Sequence, residues 1–289
     1  MNHIFAFIGG SGLYELPGAT LVKEHDIVTP FGSPSAPIKE IEIAGKSAFF
    51  LPRHGVGHSL LPSEIPFKAN IWALKSLGVD QLVSFSAVGS LKERYKPGHI
   101  VIPDQFIDRT RHRPESFFGE GIVAHVPFGN PSSSELSSAI CEQAMMLGFP
   151  VHRGGTYICM EGPQFSTKAE SHLYRSFDAD IIGMTLLQEA KLAREAEIAF
   201  CGSCSVTDYD CWKEDEEDVT VEQVLETLRQ NADNANKIAE GFLKSDFENE
   251  DSEGISCCLD TSIMTPVEHW PAKTAEKLEP ILSRYKKGK

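Results

Sequence analysis

Two carboxylates stand two residues apart where an apolar run ends. Asp208 and Asp210 close the stretch "AFCGSCSVTDYD", and an acidic stretch follows over 214–218. In an extended chain residues i and i+2 face the same way, so the two carboxylates should project together. Such a pair can ligate Mg²⁺, read the edge of a purine while exchanging a proton, or simply face water. The pair alone leaves all three open.

Candidate anion donors follow other apolar runs. They are Ser11 in "GGSG", Arg53 and His54 in "PRHG", Ser86 in "FSAVGS" and Thr185 in "GMTLLQEA". Each is weak evidence by itself, because a glycine turn or a surface arginine is common in loops. Together they offer hydroxyls, amides and one guanidinium, which is what a single phosphate requires. The G-x-G-x-x-G pattern and the complete P-loop pattern G-x-x-x-x-G-K-[ST] are both absent, which disfavours dinucleotide and nucleoside triphosphate sites.

In a pocket that excludes water, the two aspartates could have different chemical roles. One member of a buried carboxylate pair has a raised pKa and can donate a proton to a ring nitrogen. The other can accept a hydrogen bond from an exocyclic amine. A solvated turn is the better interpretation of an isolated D-x-D, so the surrounding elements decide.

Strands and helices alternate along the chain, which predicts an α/β fold. The predicted strands are "IFAFIGG", "SAFFLP", "DQLVSFSAVGS", "HIVIPDQFID", "GGTYICM" and "EIAFCGSCSVTD". One predicted helix carries Leu136, Ile140, Ala144 and Leu147 on one face, with Gly148 as its C-cap. Two others begin with capping boxes, Thr167 with Glu170 and Thr220 with Gln223. Ligands in such folds bind at the carboxyl ends of strands, where the candidate residues lie.

Composition narrows the function classes. The 289 residues carry a formal net charge of -14, which argues against a nucleic-acid partner. No apolar run approaches the ~20 residues of a membrane span, and no basic segment precedes the short apolar start. Seven scattered cysteines are typical of a cytoplasmic protein. We expect one domain over 1–289, with an acidic, mobile segment near 244–256 and a short C-terminal tail.

Nine ordered segments resemble one enzyme family. "IGGSGLY", "TPFGSPS", "LPRHGVGH", "PFKANIWALKSLG", "SAVGSL", "IVIPDQFIDRT", "EGPQFSTKAES", "GMT" and "VTDYDCW" resemble the 5′-methylthioadenosine phosphorylases of the trimeric purine nucleoside phosphorylase superfamily. The resemblance runs from about Ile4 to about Phe242. It implies a mixed β-sheet with barrel-like curvature, flanked by helices. It also implies phosphorolysis of methylthioadenosine to adenine and 5-methylthioribose-1-phosphate, without metal or organic cofactor, with inorganic phosphate as co-substrate.

The resemblance implies a role for each site residue. Phosphate would bind Ser11, Arg53, His54, Ser86, the amide of Ala87, and Thr185. Met184 would contact the ribose, and Phe165 and Ser166 would lie beside the purine. Asp208 and Asp210 would read the base, with Asp208 as the acid at N7 and Asp210 as the acceptor from N6. Val221, Val224 and Leu225 would hold the methylthio group. His125 would serve a neighbouring subunit, which implies a homotrimer or a dimer of trimers.

One departure and two alternatives remain. The family usually has proline where this chain has Gln188. A phosphorylase for adenosine, inosine or methylthioinosine is the nearest alternative, although a 6-oxopurine would suit Asn better than the Asp pair. A non-catalytic nucleoside-binding protein is the other alternative, and it predicts loss of phosphate donors that this sequence retains.

Overall fold

A computed structural model describes most of the chain. It covers residues 3–11, 13, 16, 18–43, 45–213, 221–245 and 247–286. For 221–226 and 228 it describes the backbone alone.

Eleven strands and seven α-helices are present in the described part. The strands are β1 (Phe5–Gly9), β2 (Thr20–His25), β3 (Ile38–Ile43), β4 (Lys46–Pro52), β5 (Gln81–Ser90), β6 (Ile100–Ile102), β7 (Gln105–Arg109), β8 (Val151–Arg153), β9 (Thr156–Met160), β10 (Ile181–Gly183) and β11 (Ala199–Asp208). The helices are α1 (Phe67–Ser76), α2 (Ser134–Met146), α3 (Lys168–Ser176), α4 (Leu186–Glu195), α5 (Val221–Lys244), α6 (Ala272–Lys277) and α7 (Glu279–Lys286). The chain is therefore α/β, as predicted.

The strands form one mixed sheet. Its main order is β2-β3-β4-β1-β5-β10-β9-β7, while β11 pairs with both β5 and β6, and β6 with β8. Among the described strands the pairing does not return from β7 or β8 to β2, so the sheet is not closed into a barrel. The predicted mixed sheet flanked by helices is confirmed, but the described strands do not close into a barrel.

The strand directions bring the predicted residues to one place. β1 runs parallel to β4 and β5, and β11 runs parallel to β5, so their carboxyl ends lie at the same edge. β10 is antiparallel to β5 and pairs Ile181 with Ser90 and Ile182 with Gly89. Its carboxyl end therefore runs back toward the middle of β5, and the residues after Gly183 reach the same edge from the other direction.

The helix predictions were mostly right. Leu136, Ile140 and Ala144 of α2 are buried, but Leu147 is 40% exposed, because the helix ends at Met146. Gly148 follows with φ +78°, the left-handed conformation expected just after a helix.

One of the two predicted capping boxes is confirmed. Both halves of the predicted capping box at Thr167 and Glu170 are present at the start of α3. The box predicted at Thr220 and Gln223 cannot be compared in the same way, because Thr220 and the side chain of Gln223 lie outside the described residues.

α4 is a core helix. Nine of its ten residues are buried, and four of these are polar or charged, among them Gln188 and Glu189. A helix that is enclosed on all sides has to satisfy such groups internally, and both of these side chains are hydrogen-bonded. Thr185, immediately before α4, brings the amino end of this helix to the edge where the strands end.

The acidic segment after α5 is held by hydrogen bonds. The amides of Glu250 and Ser252 donate to Glu135 at 2.7 and 2.9 Å, and Phe247 packs against Phe242. Farther on, the hydroxyl of Tyr285 donates to Glu197 at 2.6 Å and anchors the tail. The predicted mobility of 244–256 stays a prediction, but its described residues are tied to the body of the protein. Among the described residues no helix is long and apolar enough to span a membrane.

Candidate active site

One cavity is lined by residues in or just after six strands. Its volume is about 370 Å³, which is within the ~300–1,000 Å³ typical of small-molecule sites. The predicted residues that line it are Ser11, Arg53, His54, Ser86, Ala87, Phe165, Met184, Thr185, Asp208 and Asp210. Residues up to 199 positions apart in sequence, Ser11 and Asp210, thus meet where the direction of the strands had suggested.

Arg53 is the cation of this cavity and is already paired. Its Nε donates to Oε1 of Glu189 at 2.5 Å, and its Nη2 donates to Oγ of Ser84 at 2.5 Å and to the carbonyl of Phe85 at 3.1 Å. Arg53 and Glu189 are each 1% exposed. The expectation that the phosphate donors include one full positive charge is therefore incomplete, because a carboxylate compensates that charge.

His54 has a defined tautomer. Its Nδ1 lies 2.9 Å from the carbonyl of Leu60, which can only accept, so Nδ1 carries the proton. Burial, together with the nearby charge of Arg53, lowers the pKa of His54 to about 4. The imidazole is therefore neutral at pH 7, and Nε2 is an acceptor. His54 was expected to donate to an anion, but in this state its Nε2 can only accept a hydrogen bond.

Three hydroxyls and the amino end of a helix join Arg53 and His54 as predicted anion donors, and we call this group of donors the anion side of the cavity. Ser11, Ser86 and Thr185 all line the cavity. Thr185 makes no capping bond to α4, and its side chain is 4% exposed. Because α4 begins directly after it, the partial positive charge of the helix terminus also faces this side of the cavity.

The two aspartates come together through a turn. β11 ends at Asp208, and Asp210 has φ +52°, so the extended geometry assumed from the sequence is wrong. The amide of Asp210 donates to Oδ1 of Asp208 at 2.7 Å, and the hydroxyl of Thr207 lies 2.7 Å from Oδ2. Both carboxylates nevertheless line the cavity, because the turn folds the second back beside the first.

Burial changes the chemistry of the Asp210 carboxyl. It raises the pKa of the Asp210 carboxyl, and the neighbouring charge of Asp208 adds to the rise. Oδ2 of Asp210 is buried and has no hydrogen-bond partner among the described residues. A buried carboxylate oxygen without a partner is costly, and a ligand N–H would satisfy it.

Sequence comparison decides the family. The sequence model of the phosphorylase superfamily matches residues 4–244. The chain belongs to the phosphorylase superfamily.

Two similar members of the superfamily are named for the same activity. The chain is 50% identical over 285 residues to the S-methyl-5′-thioadenosine phosphorylase of Koribacter versatilis, covering 99% of this chain and 97% of that protein. It is 50% identical over 288 residues to the protein of the same name from Thermosynechococcus vestitus, covering 99% and 100%. Both matches include the C-terminal tail, which the resemblance seen in the sequence had left out.

Two solved structures share the fold. A methylthioadenosine phosphorylase from an antarctic soil metagenomic library superposes with a TM-score of 0.91 at 44% identity, covering 97% of this chain and 99% of that chain. The Schistosoma mansoni methylthioadenosine phosphorylase, solved in complex with adenine, gives 0.80 at 33% identity over 84% and 91%.

Gln188 is accommodated by hydrogen bonds. It is fully buried, donates to Thr110 at 3.0 Å and accepts from Nη1 of Arg113 at 3.3 Å. The same Nη1 donates to the carbonyl of Met184, and Nη2 donates to the carbonyl of Glu161 at 2.5 Å. A glutamine at this position thus joins a network that holds the backbone at Met184, a cavity residue of this phosphorylase.

Other predicted residues are placed less closely. Phe165 lines the cavity but is 84% exposed, and Ser166 is not among the lining residues. The carbonyl of Ser166 accepts from the thiol of Cys211 at 3.2 Å. His125 is exposed, and its amide donates to the carbonyl of Ser262 at 2.9 Å, away from the cavity of its own chain.

The side chains predicted to form the methylthio pocket are not among those that the structure describes. Val221, Val224 and Leu225 belong to α5, but their side chains are not among the described ones. Their contacts therefore stay a prediction, as does the position of the acidic stretch over 214–218.

Sequence reasoning missed the loop after β4 and several strand positions. The missed lining residues are His58, Ser59, Leu60, Leu61, Pro62, Val88, Gly89, Met160, Pro163, Ile182, Gly183 and Thr207. The loop follows the quoted "PRHG", so its proximity to Arg53 was the available signal. Glu189 and Ser84, which hold Arg53, gave no signal, since one lies inside a helix and the other inside a strand.

Proposed function

We propose that this phosphorylase cleaves 5′-methylthioadenosine with inorganic phosphate to give adenine and 5-methylthioribose-1-phosphate. The observation that carries the proposal is that anion donors and an aspartate pair line one cavity. The names of the similar proteins agree with this activity. Met184 lines the same cavity and is the contact that we propose for the ribose.

Phosphate is the nucleophile in this reaction. Breaking the bond between C1′ and N9 builds positive charge on the sugar and negative charge on the purine. Phosphate held by Arg53 and the hydroxyls of Ser11, Ser86 and Thr185, with the amide of Ala87, stabilises the cation and then attacks C1′. The neutral His54 accepts at Nε2 from a P–OH group of monohydrogen phosphate, which helps to hold the nucleophile in one orientation.

The aspartate pair handles the leaving group. Burial raises the pKa of Asp210, and the amide of Asp210 donates to Asp208, so we propose that the pair shares one proton. We assign proton donation at N7 to Asp208. We assign acceptance from the N6 amine to Asp210, whose buried Oδ2 lacks a partner. A 6-oxopurine would place a second acceptor against that oxygen.

The proposal includes an oligomer with shared sites. The cavity leaves Phe165 largely exposed, and the exposed His125 points to a use outside its own chain. A homotrimer, alone or paired, would cover Phe165 with His125 of a neighbour, and Val221, Val224 and Leu225 would enclose the 5′ group. Sedimentation of the active enzyme tests this, and a fully active monomer would contradict it.

The proposal requires neither metal nor organic cofactor and places the enzyme in the cytoplasm. No group of three or more histidine, cysteine or acidic side chains among the described residues is arranged to hold a metal. All seven cysteines are free thiols, which suits a reducing compartment. Full activity in EDTA is expected, and activity that is lost in EDTA and restored by Mg²⁺ would contradict the metal-free mechanism.

A substrate panel tests the activity itself. Methylthioadenosine, adenosine, inosine and methylthioinosine are each incubated with and without phosphate, and base release is followed by chromatography. We expect phosphate-dependent release of adenine, fastest from methylthioadenosine. Faster release of hypoxanthine from the inosines would transfer the proposal to a 6-oxopurine nucleoside. Release without phosphate would indicate a hydrolase, and no release with measurable nucleoside binding would indicate a binding protein.

A further inference from the structure

The buried carboxylate of Glu189 is hydrogen-bonded to the guanidinium of Arg53. Glu189 accepts from Nε of Arg53 at 2.5 Å through Oε1, and its Oε2 lies 3.3 Å from Nη2. The two residues are 136 positions apart in sequence, and α4 carries Glu189 into the core behind the cavity. Glu189 does not line the cavity, so its influence on a ligand passes through Arg53.

Ser84 closes the network. Its Oγ accepts from Nη2 of Arg53 at 2.5 Å and donates to Oε2 of Glu189 at 2.6 Å. Ser84 is fully buried within β5. Three donors therefore meet the two oxygens of Glu189, which is a set that an ionised carboxylate accommodates.

This arrangement fixes which atom of Arg53 remains for a ligand. Nε and Nη2 are committed to protein acceptors, whereas Nη1 has no protein acceptor among the described residues. Nη1 lies close against Gly10, where an added β-carbon would come within 2.9 Å of it. The guanidinium is thus held in one orientation with a single edge available.

The charges of the anion side also cancel. Arg53 is compensated by Glu189, and the remaining lining donors proposed for phosphate are neutral hydroxyls, an amide and a neutral imidazole. A dianion would normally be held very tightly by an uncompensated buried arginine, because the interaction between buried charges is strong.

We propose that Glu189 is a positioning residue that orients Arg53 and weakens phosphate binding by compensating its charge. This inference rests on the proposed function, because it assigns phosphate to this side of the cavity. This charge compensation should allow the product to dissociate. A sugar phosphate that is bound by a net-neutral set of donors can leave, whereas one bound by an unpaired arginine is retained.

Glu189→Gln tests the charge. The amide keeps an acceptor for Nε of Arg53 and a donor for Ser84, but it removes the negative charge. We expect inorganic phosphate, measured by equilibrium dialysis of the whole enzyme with labelled phosphate, to bind on the order of tenfold more tightly. The KM for phosphate should fall, the KM for methylthioadenosine should stay unchanged, and kcat should fall as product release becomes slow.

Glu195→Gln is the matched control. Glu195 is also on α4 and is 7% exposed, but it is bonded to Ser116 and to the amide of Phe117, outside the cavity. The same change of charge there should leave phosphate binding as in the wild type. Equal tightening in both variants would show a general electrostatic effect and would overturn the assignment to Glu189.

A second variant covers the case in which Glu189→Gln does not fold. Glu189→Asp keeps the charge but is too short to meet Nε and Ser84 together, so phosphate should bind several-fold more weakly while methylthioadenosine binding is unchanged. Unchanged phosphate binding in Glu189→Asp would overturn the positioning role. If folded Glu189→Gln binds phosphate equally or more weakly, the charge compensation is wrong. If the wild type binds no phosphate, the proposed function fails first, and this result is separate from the other two.

Discussion

A methyl group at Gly89 should disturb the aspartate pair without touching the phosphate donors. Gly89 is in β5, opposite Asp208 of β11, and lines the cavity. A β-carbon built there would lie 3.1 Å from Oδ1 of Asp208, 3.0 Å from a methyl of Ile182 and 3.5 Å from Cβ of Asp210. Its backbone is not in the left-handed region, so alanine adds a contact rather than backbone strain.

The displacement sets the expected loss of rate. Ordinary contacts begin near ~3.5 Å, so the carboxylate of Asp208 has to retreat by about 0.4 Å. A misplacement of ~1 Å in a catalytic arrangement costs ~10²-fold, and scaling this gives a loss of roughly 5- to 10-fold. Crowding should also cost ~1–3 kcal/mol of the free energy of unfolding. We therefore expect kcat/KM for methylthioadenosine to fall 5- to 10-fold in Gly89→Ala, with phosphate binding unchanged.

Two measurements make the test strict. Steady-state kinetics with methylthioadenosine varied at saturating phosphate gives the loss, and equilibrium dialysis gives phosphate affinity. Gly129→Ala is the control, since a β-carbon there meets no atom within 4 Å. A folded Gly89→Ala enzyme with wild-type kcat/KM would show that the position of Asp208 does not limit the reaction. A parallel loss of phosphate affinity would show that the methyl acts on the whole cavity.

Four further outcomes are expected. Asp208→Asn should lower kcat by ~10²–10⁴-fold if it removes the general acid, and a larger loss in Asp210→Asn would exchange the two roles. Asp210→Asn should shift preference toward 6-oxopurine nucleosides, and an unchanged ratio of adenosine to inosine use would contradict its contact with N6. Folding lowers the pKa of His54, so protonation favours the unfolded state. The free energy of unfolding should therefore be highest above pH 6.5 and should fall by up to about 3 kcal/mol as the pH decreases toward 4. Urea unfolding of His54→Gln should therefore depend less on pH across that window. Thr167→Ala removes a capping box and should cost ~0.5–2 kcal/mol in urea unfolding, with kcat/KM little changed.

The polar residues at strand ends were predictable because the pattern that marks them is local. An apolar run followed by a turn predicts where a strand stops, and Ser11, Arg53 and Asp208 each follow or close such a run, whereas Ser86 lies inside β5. Parallel strands then bring those ends together, so the cavity was implied by the order of elements.

The partners of those residues were not predictable by the same reasoning. Glu189 sits in a helix with no marker of its own, and its pairing with Arg53 depends on how α4 packs behind the sheet. The turn at Asp210 has a positive φ, which its sequence did not reveal. The tautomer of His54 depends on a carbonyl six residues away, and only the folded loop supplies it.

The position of β5 has a consequence for folding during synthesis. β5 pairs with β1 through residues already made, but its other edge pairs with β11, which is complete only at Asp208. At ~5–20 residues per second, the ribosome takes roughly 6 to 24 s to make the intervening stretch. For that time the nascent chain presents "QLVSFSAV" as an apolar, uncharged strand with an open edge, which is the kind of segment that aggregates. The strand that unites the two halves of the cavity is therefore also a segment that a chaperone could protect until β11 has been made.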